Sequence, residues 1–307
     1  MTDTAARRSG LLFGVGAYGA WGMFPAFFPL LKPAGAVEIL AHRIVWGFLF
    51  LFVVVVAVRR LRDLRAIDGR TWLLLAAASV LISINWLIYV YAVNNGHVVD
   101  AALGYFINPL VTVLLGLLLF RERLNRAQSL ALAIAVIAVV VLTVQLGAPP
   151  YIGLGLALTF GLYGAVKKVV PVDPRVSVGI ETALVTPAAV GYLIVLQVGG
   201  DGAFGAHGPG HLVLMILAGV LTAIPLLLFA GAAHRLPLVT MGLLFYMTPI
   251  MQMSWGILVG HEPMPAARWI GFILIWLALA VFTVDAVVRT RSTRLDRSRT
   301  SSGGAQV

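Results

Sequence analysis

The sequence predicts an all-α integral membrane protein of ten transmembrane helices, built as two inverted repeats of five helices each. Of its 307 residues, 60% are hydrophobic and 11% are charged, and the mean hydropathy is +0.97, a composition too apolar for one soluble core. Residues 98–122 match residues 238–262, which lie 140 positions further along the chain. Because each copy holds five apolar spans, an odd number, the second copy must enter the membrane from the opposite side.

Ten apolar segments have the roughly 20 residues that a membrane-spanning helix requires. We number them spans 1 to 10 along the chain: about 10–31, 37–58, 72–93, 98–120, 126–146, 151–169, 177–198, 211–233, 237–259 and 266–288. Span 1 lacks a small-residue cleavage site, so we interpret it as a span and not as a signal peptide. The predicted organisation is an N-terminal tail (1–9), a first repeat (10–146), an inverted second repeat (151–288) and a basic tail expected to be disordered (289–307).

The lysines and arginines concentrate on one side of this topology. When successive loops are assigned alternately to the two sides, 19 of the 22 basic residues fall on one side. By the positive-inside rule that side is cytoplasmic, so we expect a protein of the cytoplasmic membrane with both termini in the cytoplasm. The net charge of +10 therefore indicates topology and not a nucleic-acid partner. The basic residues on this side are Arg7, Arg8, Arg59, Arg60, Arg62, Arg65, Arg70, Arg121, Arg123, Arg126, Lys167, Lys168, Arg175, Arg235 and five arginines of the C-terminal tail.

No sequence motif indicates a cofactor or a metal. The chain has no cysteine and no phosphate-binding loop. A GxGxxG match at residues 14–19 lies inside span 1 without a preceding strand, where small residues favour close helix packing. His261 and Glu262 begin the HExxH zinc pattern, but Pro265 stands where the second histidine should be. We therefore expect no cofactor, no metal and no enzymatic activity.

Span 2 holds the densest set of polar residues, Glu38, His42 and Arg43. Such groups are costly inside an apolar bundle and indicate a functional site. Glu38 and His42 are four residues apart and share one helix face. One interpretation is a carboxylate–imidazole pair that takes up a proton or binds substrate, with Arg43 holding the charges of the pair. The other interpretation is a structural bridge between Glu38 and Arg43.

Glu181 matches Glu38 in the second repeat and lies near the opposite membrane face. Its carboxylate needs a partner, for which Lys167 and Lys168 are the candidates. One glutamate near each face would suit a pair of gates, and plain salt bridges at helix ends are the alternative. The rest of the span 2 cluster is not duplicated, since the matching pairs are His42 with Val185 and Arg43 with Thr186.

Prolines fall at matching depths of spans 4 and 9, where Pro109 follows Asn108 and Pro249 follows Thr248. Proline removes a backbone donor and frees the carbonyl four residues earlier. Inside a membrane such a backbone is tolerated only where it faces protein or a cavity. Together with Pro225 in span 8, these residues predict helix breaks around a site near the middle of the membrane.

Polar and aromatic side chains near these prolines form the predicted substrate site. Aromatic walls suit flat or amphipathic organic molecules, although any single aromatic residue is better explained by packing or by the membrane interface. Glu122 and Glu262, which close spans 4 and 9, are expected to cap or pair locally. The predicted substrate contacts are Asn85, Trp86, Tyr105, Asn108, Tyr246, Thr248 and Trp21.

Two sequence strings carry a specific family resemblance: Leu-Gly-Tyr-Phe-Ile-Asn-Pro-Leu at 103–110 and Glu-Ile-Leu-Ala-His-Arg at 38–43. With Lys167-Lys168 and Glu181-Thr182 in the second half, they make nearly the whole chain similar to the RarD group of EamA-type transporters, in the drug/metabolite transporter superfamily. The resemblance implies a ten-helix bundle of two inverted EamA repeats that moves small organic solutes by alternating access. It implies no particular set of binding residues.

The resulting hypothesis is a secondary-active permease of small organic metabolites or drugs, with proton coupling at Glu38 and His42. Its expected partners are a small-molecule substrate and the lipid bilayer, without nucleic acid, and a homodimer is one option. Two alternatives stay open. A non-transporting membrane scaffold would leave the paired proline steps without a purpose, and an intramembrane enzyme acting on lipid-linked substrates would have only the span 2 cluster for its chemistry.

Overall fold

The computed structural model describes residues 3–57, 68–172 and 174–303, and every regular element in these ranges is helical, as the sequence predicts. Four arginines of the predicted cytoplasmic side, Arg59, Arg60, Arg62 and Arg65, lie outside the described residues. The elements are α1 (Asp3–Gly22), α2 (Phe24–Phe27) with a following 3₁₀ turn (Phe28–Leu31), α3 (Ala36–Ala57), α4 (Gly69–Asn94), α5 (Val98–Phe120), α6 (Arg126–Leu146), α7 (Tyr151–Val169), α8 (Pro174–Gly199), α9 (Gly208–Ala233), α10 (Leu238–Phe245), α11 (Met247–Leu258) and α12 (Ala266–Gly303).

The number of spanning helices differs from the prediction. In the described ranges eight helices are long and apolar enough to cross a membrane, and α1 with the segment after it makes a ninth that is bent by 43°. The predicted span 9 is divided into α10, with 8 residues, and α11, with 12 residues, which meet at Tyr246. Neither helix alone has the roughly 20 residues that spanning requires. The predicted count of ten spanning helices is therefore not confirmed.

Prolines break fewer helices than the sequence predicts. α5 is continuous through Pro109, and α9 is continuous through Pro225. Of the three predicted positions, only Pro249 lies beside a break, in the first turn of α11, where the missing N–H needs no partner within the helix. A proline inside a helix removes one hydrogen bond, and packing against neighbouring helices can keep the helix intact. The predicted breaks at Pro109 and Pro225 are thus wrong.

The last helix extends further than the sequence predicts. Its membrane-compatible part is Ala266–Val288, but the backbone of α12 stays helical to Gly303. It therefore includes residues 289–303, for which we expect disorder from the sequence. Arginine, which recurs in this segment, is a good helix former and can prolong a helix beyond the membrane.

The helices form two compact units, and each combines parts of both predicted repeats. The first unit comprises Met1–Asn108 and Tyr151–Pro263, and the second comprises Pro109–Pro150 and Met264–Val307. Within the first unit α1 packs on α9, α3 packs on α8 and α9, and α4 packs on α7 and α8. Within the second unit α6 packs along α12. The polar residues of span 2 and all seven predicted substrate contacts lie in the first unit.

Glycines allow the closest helix contact beside those polar residues. A Cβ atom at Gly219 of α9 would lie 2.3 Å from the backbone N of Gly47 in α3, so no larger residue fits there. Gly47 is one helical turn beyond Arg43, and Gly219 is just under one turn before Thr222. The glycine contact therefore brings the side chains of Arg43 and Thr222 together.

The segments that close α5 and α11 have the same local backbone. The residue before each closing glutamate has a positive φ, 54° at Arg121 and 49° at His261. Each glutamate donates its backbone N–H to the carbonyl of the glycine six residues earlier, at 3.2 Å for Glu122 and 3.0 Å for Glu262. Each of these bonds satisfies one of the carbonyl groups that lack a partner at the end of a helix. The sequence repeat thus corresponds to a repeated local structure.

Candidate functional site

Arg43 lies inside the first unit, seven residues or about 10 Å from the start of α3. Its side chain is 2% exposed. Its Nε donates to the hydroxyl of Thr222 on α9 at 3.0 Å. The guanidinium carbon lies 4.8 Å from the ring centre of Phe28, 5.0 Å from that of Trp86 and 5.6 Å from that of Phe24. Cation–π contacts of this kind hold a guanidinium between aromatic side chains.

The charge of Arg43 has no carboxylate partner among the described residues. Its Nη1 is buried and has no hydrogen-bond partner there either. An unpaired charge taken out of water costs several kcal/mol, so this arrangement lowers stability unless something else binds to it. The carboxylate of Glu38 instead accepts from the backbone N–H of Ala203 at 2.7 Å. The geometry therefore does not support a Glu38–Arg43 bridge. It also does not support a role of Arg43 in holding the charge of Glu38.

Gln252 on α11 is a second buried polar group, 1% exposed, which the sequence alone does not single out. Its Nε2 donates to the hydroxyl of Tyr89 at 2.8 Å and to the carbonyl of Trp21 at 3.3 Å. Pro25 lacks the N–H that would otherwise bond this carbonyl in a continuous helix. Oε1 of Gln252 is buried without a partner among the described residues. A sequence feature that could have identified Gln252 is its position one helical turn after Thr248, a predicted substrate contact.

Aromatic rings connect these two polar groups. The ring of Phe28, which contacts Arg43, lies 6.0 Å from the ring of Tyr89, which bonds Gln252. The ring of Tyr105 extends this set of contacts and lies 5.8 Å from that of Tyr89. Arg43 and Gln252 are thus connected through the rings of Phe28 and Tyr89, and we call this cluster the Arg43–Gln252 site. It consists of Arg43, Gln252, Phe24, Phe28, Trp86 and Tyr89.

The predicted substrate contacts divide into lining residues and structural residues. Both N–H groups of the Asn85 amide are used between helices, at 2.9 Å to the carbonyl of Leu156 and 2.9 Å to the hydroxyl of Thr159. The hydroxyl of Thr248 donates to the carbonyl of Tyr18 at 2.9 Å and joins α11 to α1. Asn108 is buried in α5, and the half-buried Tyr246 lies between α10 and α11. The half-buried lining residues are Trp21, Trp86 and Tyr105.

His42 does not pair with Glu38 in this structure. Its Nδ1 accepts from the indole N–H of Trp46 at 3.1 Å, and its ring stacks on Phe204 with centres 4.6 Å apart. Because an indole can only donate, Nδ1 is the acceptor, and the neutral ring carries its proton on Nε2. That Nε2 is buried without a partner among the described residues. Glu38 and His42 instead both contact the segment 200–207, the former through Ala203.

Glu181 on α8 is fully paired, in contrast to Arg43. Its carboxylate receives hydrogen bonds from Lys167 at 2.7 Å, Ser177 at 2.6 Å and Tyr163 at 3.0 Å. The prediction that Lys167 or Lys168 neutralises Glu181 is confirmed, with Lys167 as the partner. The carbonyl of Glu181 also accepts from Ser79 on α4. Glu181 therefore joins α8 to α7 and α4.

Glu262 caps a helix that is distant in sequence. Its two carboxylate oxygens accept from the first backbone N–H groups of α5, at 2.6 Å from Val98 and 2.9 Å from Val99. Helix N-termini carry partial positive charge and unpaired N–H groups, which a carboxylate satisfies. Glu262 is therefore a helix cap, but not a local one as predicted, because Val98 lies 164 positions earlier in the chain.

Other parts of the described structure offer less chemistry. A crevice of about 240 Å³ between α1 and α9 is lined by apolar side chains alone, namely Phe13, Ile224, Leu227 and Leu228. Among the described residues no group of three or more His, Cys, Asp or Glu side chains could hold a metal ion. The Arg43–Gln252 site is therefore the best candidate for binding a solute.

The fold and this site define a multi-pass helical membrane protein with polar side chains buried among aromatic rings. The EamA-like transporter family matches residues 8–144. The chain is 47% identical to "Protein RarD" of Streptomyces exfoliatus, covering 98% of this chain and 95% of the relative. It is 41% identical to "Uncharacterized transporter YojE" of Bacillus subtilis (94% and 98% covered) and 38% identical to "Protein RarD" of Escherichia coli (95% and 99% covered).

A solved crystal structure aligns with a TM-score of 0.58 at 19% identity, covering 91% of this chain and 98% of that one. At this identity the match shows a shared fold alone. The sequence relatives show more: the chain belongs to the RarD group of EamA transporters, in the drug/metabolite transporter superfamily. It is a multi-pass protein of the bacterial inner membrane.

Proposed function

We propose that the protein is a secondary-active transporter that moves small organic solutes by alternating access between two inverted halves. The observation that carries this proposal is the Arg43–Gln252 site, where two buried side chains keep hydrogen-bonding atoms unpaired inside an aromatic interior. Groups of this kind inside a membrane protein are expensive and mark the path of a substrate. A non-transporting membrane scaffold has no need of unpaired buried hydrogen-bonding atoms.

The helix contacts in the first unit support the inversion. In the predicted repeat span 1 corresponds to span 6, and span 3 corresponds to span 8. If the repeats are related by a two-fold axis in the membrane plane, a contact between spans 1 and 8 therefore requires one between spans 6 and 3. Both contacts occur, as α1 with α9 and α7 with α4. The contact of α3 with α8 joins the second span of each half, as the same axis requires. With α10 and α11 counted as one interrupted span, the proposed number of spans is ten.

The predicted topology places both polar groups at one depth. Arg43 lies about 10 Å from the start of α3, and Gln252 lies six residues, or about 9 Å, before the end of α11. With cytoplasmic termini, both of these helix ends are at the outer face. The half-buried Trp21, Tyr105 and Tyr246 and the buried Asn108 extend the proposed substrate path beyond Trp86. Asn85 and Thr248 hold helices together beside this path.

Transport is tested with purified protein in liposomes that are loaded with a desalted small-molecule extract of bacterial cells. After a pH gradient is imposed, mass spectrometry of the external buffer measures which solutes leave. We expect a restricted set of solutes to leave faster than from protein-free liposomes. Equal retention of every solute in both preparations would contradict transport and favour a scaffold. Conversion of a lipid or solute into a new compound would favour an enzyme.

Proton coupling is proposed at Glu38, with His42 beside it. The carboxylate of Glu38 holds the segment 200–207 through the N–H of Ala203, and His42 stacks on Phe204 of the same segment. Charge-assisted hydrogen bonds are stronger than neutral ones, so a proton on Glu38 would loosen this segment. Under the predicted topology the segment lies at the outer face, and Glu181 lies near the inner face as the second gate.

The variant Glu38→Gln tests whether protonation of Glu38 is required in addition to its contact with Ala203. A glutamine still offers an oxygen to the N–H of Ala203 but cannot take up a proton. We expect gradient-driven accumulation of the transported solutes to fall to the level of equilibrium exchange, while exchange itself stays within about twofold of wild type. Asp201→Asn, which changes an exposed acidic residue of the same segment, is the matched control and should retain gradient dependence. Unchanged accumulation in Glu38→Gln would rule out this coupling site.

A further inference from the structure

We propose that the Arg43–Gln252 site binds an organic monocarboxylate, with the carboxylate on Arg43 and the apolar body of the molecule against Phe24, Phe28 and Trp86. This ligand is the transported substrate if the proposed function holds. The binding site itself is argued from the geometry and can be tested without transport.

The guanidinium of Arg43 is positioned for an anion. It stays protonated in proteins and presents five N–H donors in one plane. Thr222 takes the Nε donor, and Nη1 remains without a partner among the described residues. The three rings are close to the guanidinium but offer no lone pair in its plane. A carboxylate fits this planar fork and supplies the missing acceptors.

Charge balance selects a single negative charge. Among the described residues Arg43 has no ion-pair partner, and the nearest acidic residue on its own helix, Glu38, is bound to the backbone of Ala203. A monocarboxylate therefore neutralises the site. A phosphate, which carries up to two negative charges, would leave an excess charge in the interior, and an ammonium group would be repelled by Arg43. The site accordingly favours a monocarboxylate over an organic phosphate or amine.

Gln252 specifies a second feature of the ligand. Both hydrogens of its Nε2 are used, by the hydroxyl of Tyr89 and the carbonyl of Trp21. Its unpaired Oε1 can only accept a hydrogen bond. A ligand that also carries an O–H or N–H group away from the carboxylate satisfies this oxygen. We therefore infer a monocarboxylate with a hydroxyl or amide donor on an apolar or aromatic body.

Binding is measured as ligand-induced thermal stabilisation of the purified full chain in a neutral detergent, which excludes lipid carboxylates and phosphates. The probes are two matched pairs, 4-hydroxyphenylacetate with 4-hydroxyphenylacetamide and 3-hydroxybutanoate with 3-hydroxybutanamide, and the cation tyramine. We expect at least one carboxylate to bind at least tenfold more tightly than its amide, and tyramine not to stabilise the protein. Phenylacetate, which lacks the hydroxyl group, should bind more weakly than 4-hydroxyphenylacetate. Equal stabilisation by an amide or by tyramine, or none by either carboxylate, overturns the proposal.

Variants assign the binding to Arg43. Arg43→Gln should lose the preference for carboxylate over amide. The matched control is Arg235→Gln, because Arg235 also lies over an aromatic ring, 5.2 Å from that of Phe13, but is exposed; it should bind as wild type does. Should Arg43→Gln fail to fold, Thr222→Asp provides a built-in carboxylate, because the Thr222 hydroxyl that it replaces lies 3.0 Å from Nε of Arg43. This variant should no longer bind the added carboxylate. Wild-type binding in Arg43→Gln or in Thr222→Asp overturns the proposal.

The outcomes distinguish this site from the proposed function. Carboxylate binding that depends on Arg43, without flux in liposomes, supports the site and contradicts transport. Flux of neutral or cationic solutes that Arg43→Gln leaves unchanged supports transport and contradicts the site.

Discussion

Two helices at matching positions of the sequence repeat carry buried charges, and only one of these charges is neutralised by the protein. On α8 the carboxylate of Glu181 is held by Lys167, Ser177 and Tyr163, all within 3.0 Å. On α3 Arg43 has one hydrogen bond, to Thr222, and otherwise contacts aromatic rings.

The difference separates a structural charge from a charge that is available to a ligand. A buried ion pair with its hydrogen bonds complete keeps helices in register, and removing one partner leaves the other as an unpaired buried charge. An unpaired buried cation does not improve stability by itself. The asymmetry of the two halves therefore indicates where the protein binds a solute, whereas the repeat indicates how its helices are arranged.

The largest effect is expected where the internal pair is broken. Lys167→Met leaves the buried carboxylate of Glu181 with only neutral partners, which should lower the free energy of unfolding by about 3–5 kcal/mol. The measurement is unfolding in mixed micelles titrated with a denaturing detergent. Lys168→Met is the matched control, because Lys168 is exposed, and should change stability by about 0.5 kcal/mol or less. Equal stabilities of the two variants would show that the Glu181 pair is not structural.

A smaller effect is expected from the cap on α5. Glu262→Ala leaves the N–H groups of Val98 and Val99 without their acceptors, which should cost about 2 kcal/mol. Glu262→Gln keeps one acceptor oxygen and should cost about half as much. Hydrogen exchange at the start of α5 measures the effect locally and should accelerate in the alanine variant. Unchanged exchange there would contradict the capping role.

Local features of the fold follow from the sequence because they depend on nearby residues. The spans predicted at 98–120 and 126–146 coincide with α5 and α6, since uninterrupted apolar runs between polar loops leave the helix ends little freedom. The Lys167–Glu181 pair was predictable for a similar reason, because both residues lie near the short connection between α7 and α8.

The candidate site depends on contacts between residues that are distant in sequence. Thr222 lies 179 positions after its partner Arg43, and Ala203 lies 165 positions after its partner Glu38. No helical spacing could reveal these contacts. Gln252 was missed because its role depends on Tyr89 and Trp21, which come from other helices. The prolines show the same limit, since the chemistry of Pro109 permits a break but the packing around it decides whether α5 is interrupted.

The smallest effect on stability is expected at Arg43. Arg43→Met removes the cation–π contacts and one hydrogen bond, which together stabilise the fold by about 3 kcal/mol. It also removes the unpaired buried charge, whose desolvation destabilises the fold by several kcal/mol. These terms nearly cancel, so the free energy of unfolding should change by about 1 kcal/mol or less, measured in the same micelles as for Lys167→Met. A loss of more than about 2 kcal/mol would give Arg43 the same structural role as the Glu181 pair. If Arg43→Met keeps its stability but loses carboxylate binding, Arg43 and the Glu181 pair have different roles. The charge of Arg43 would then serve a ligand, whereas the Glu181 pair serves the fold.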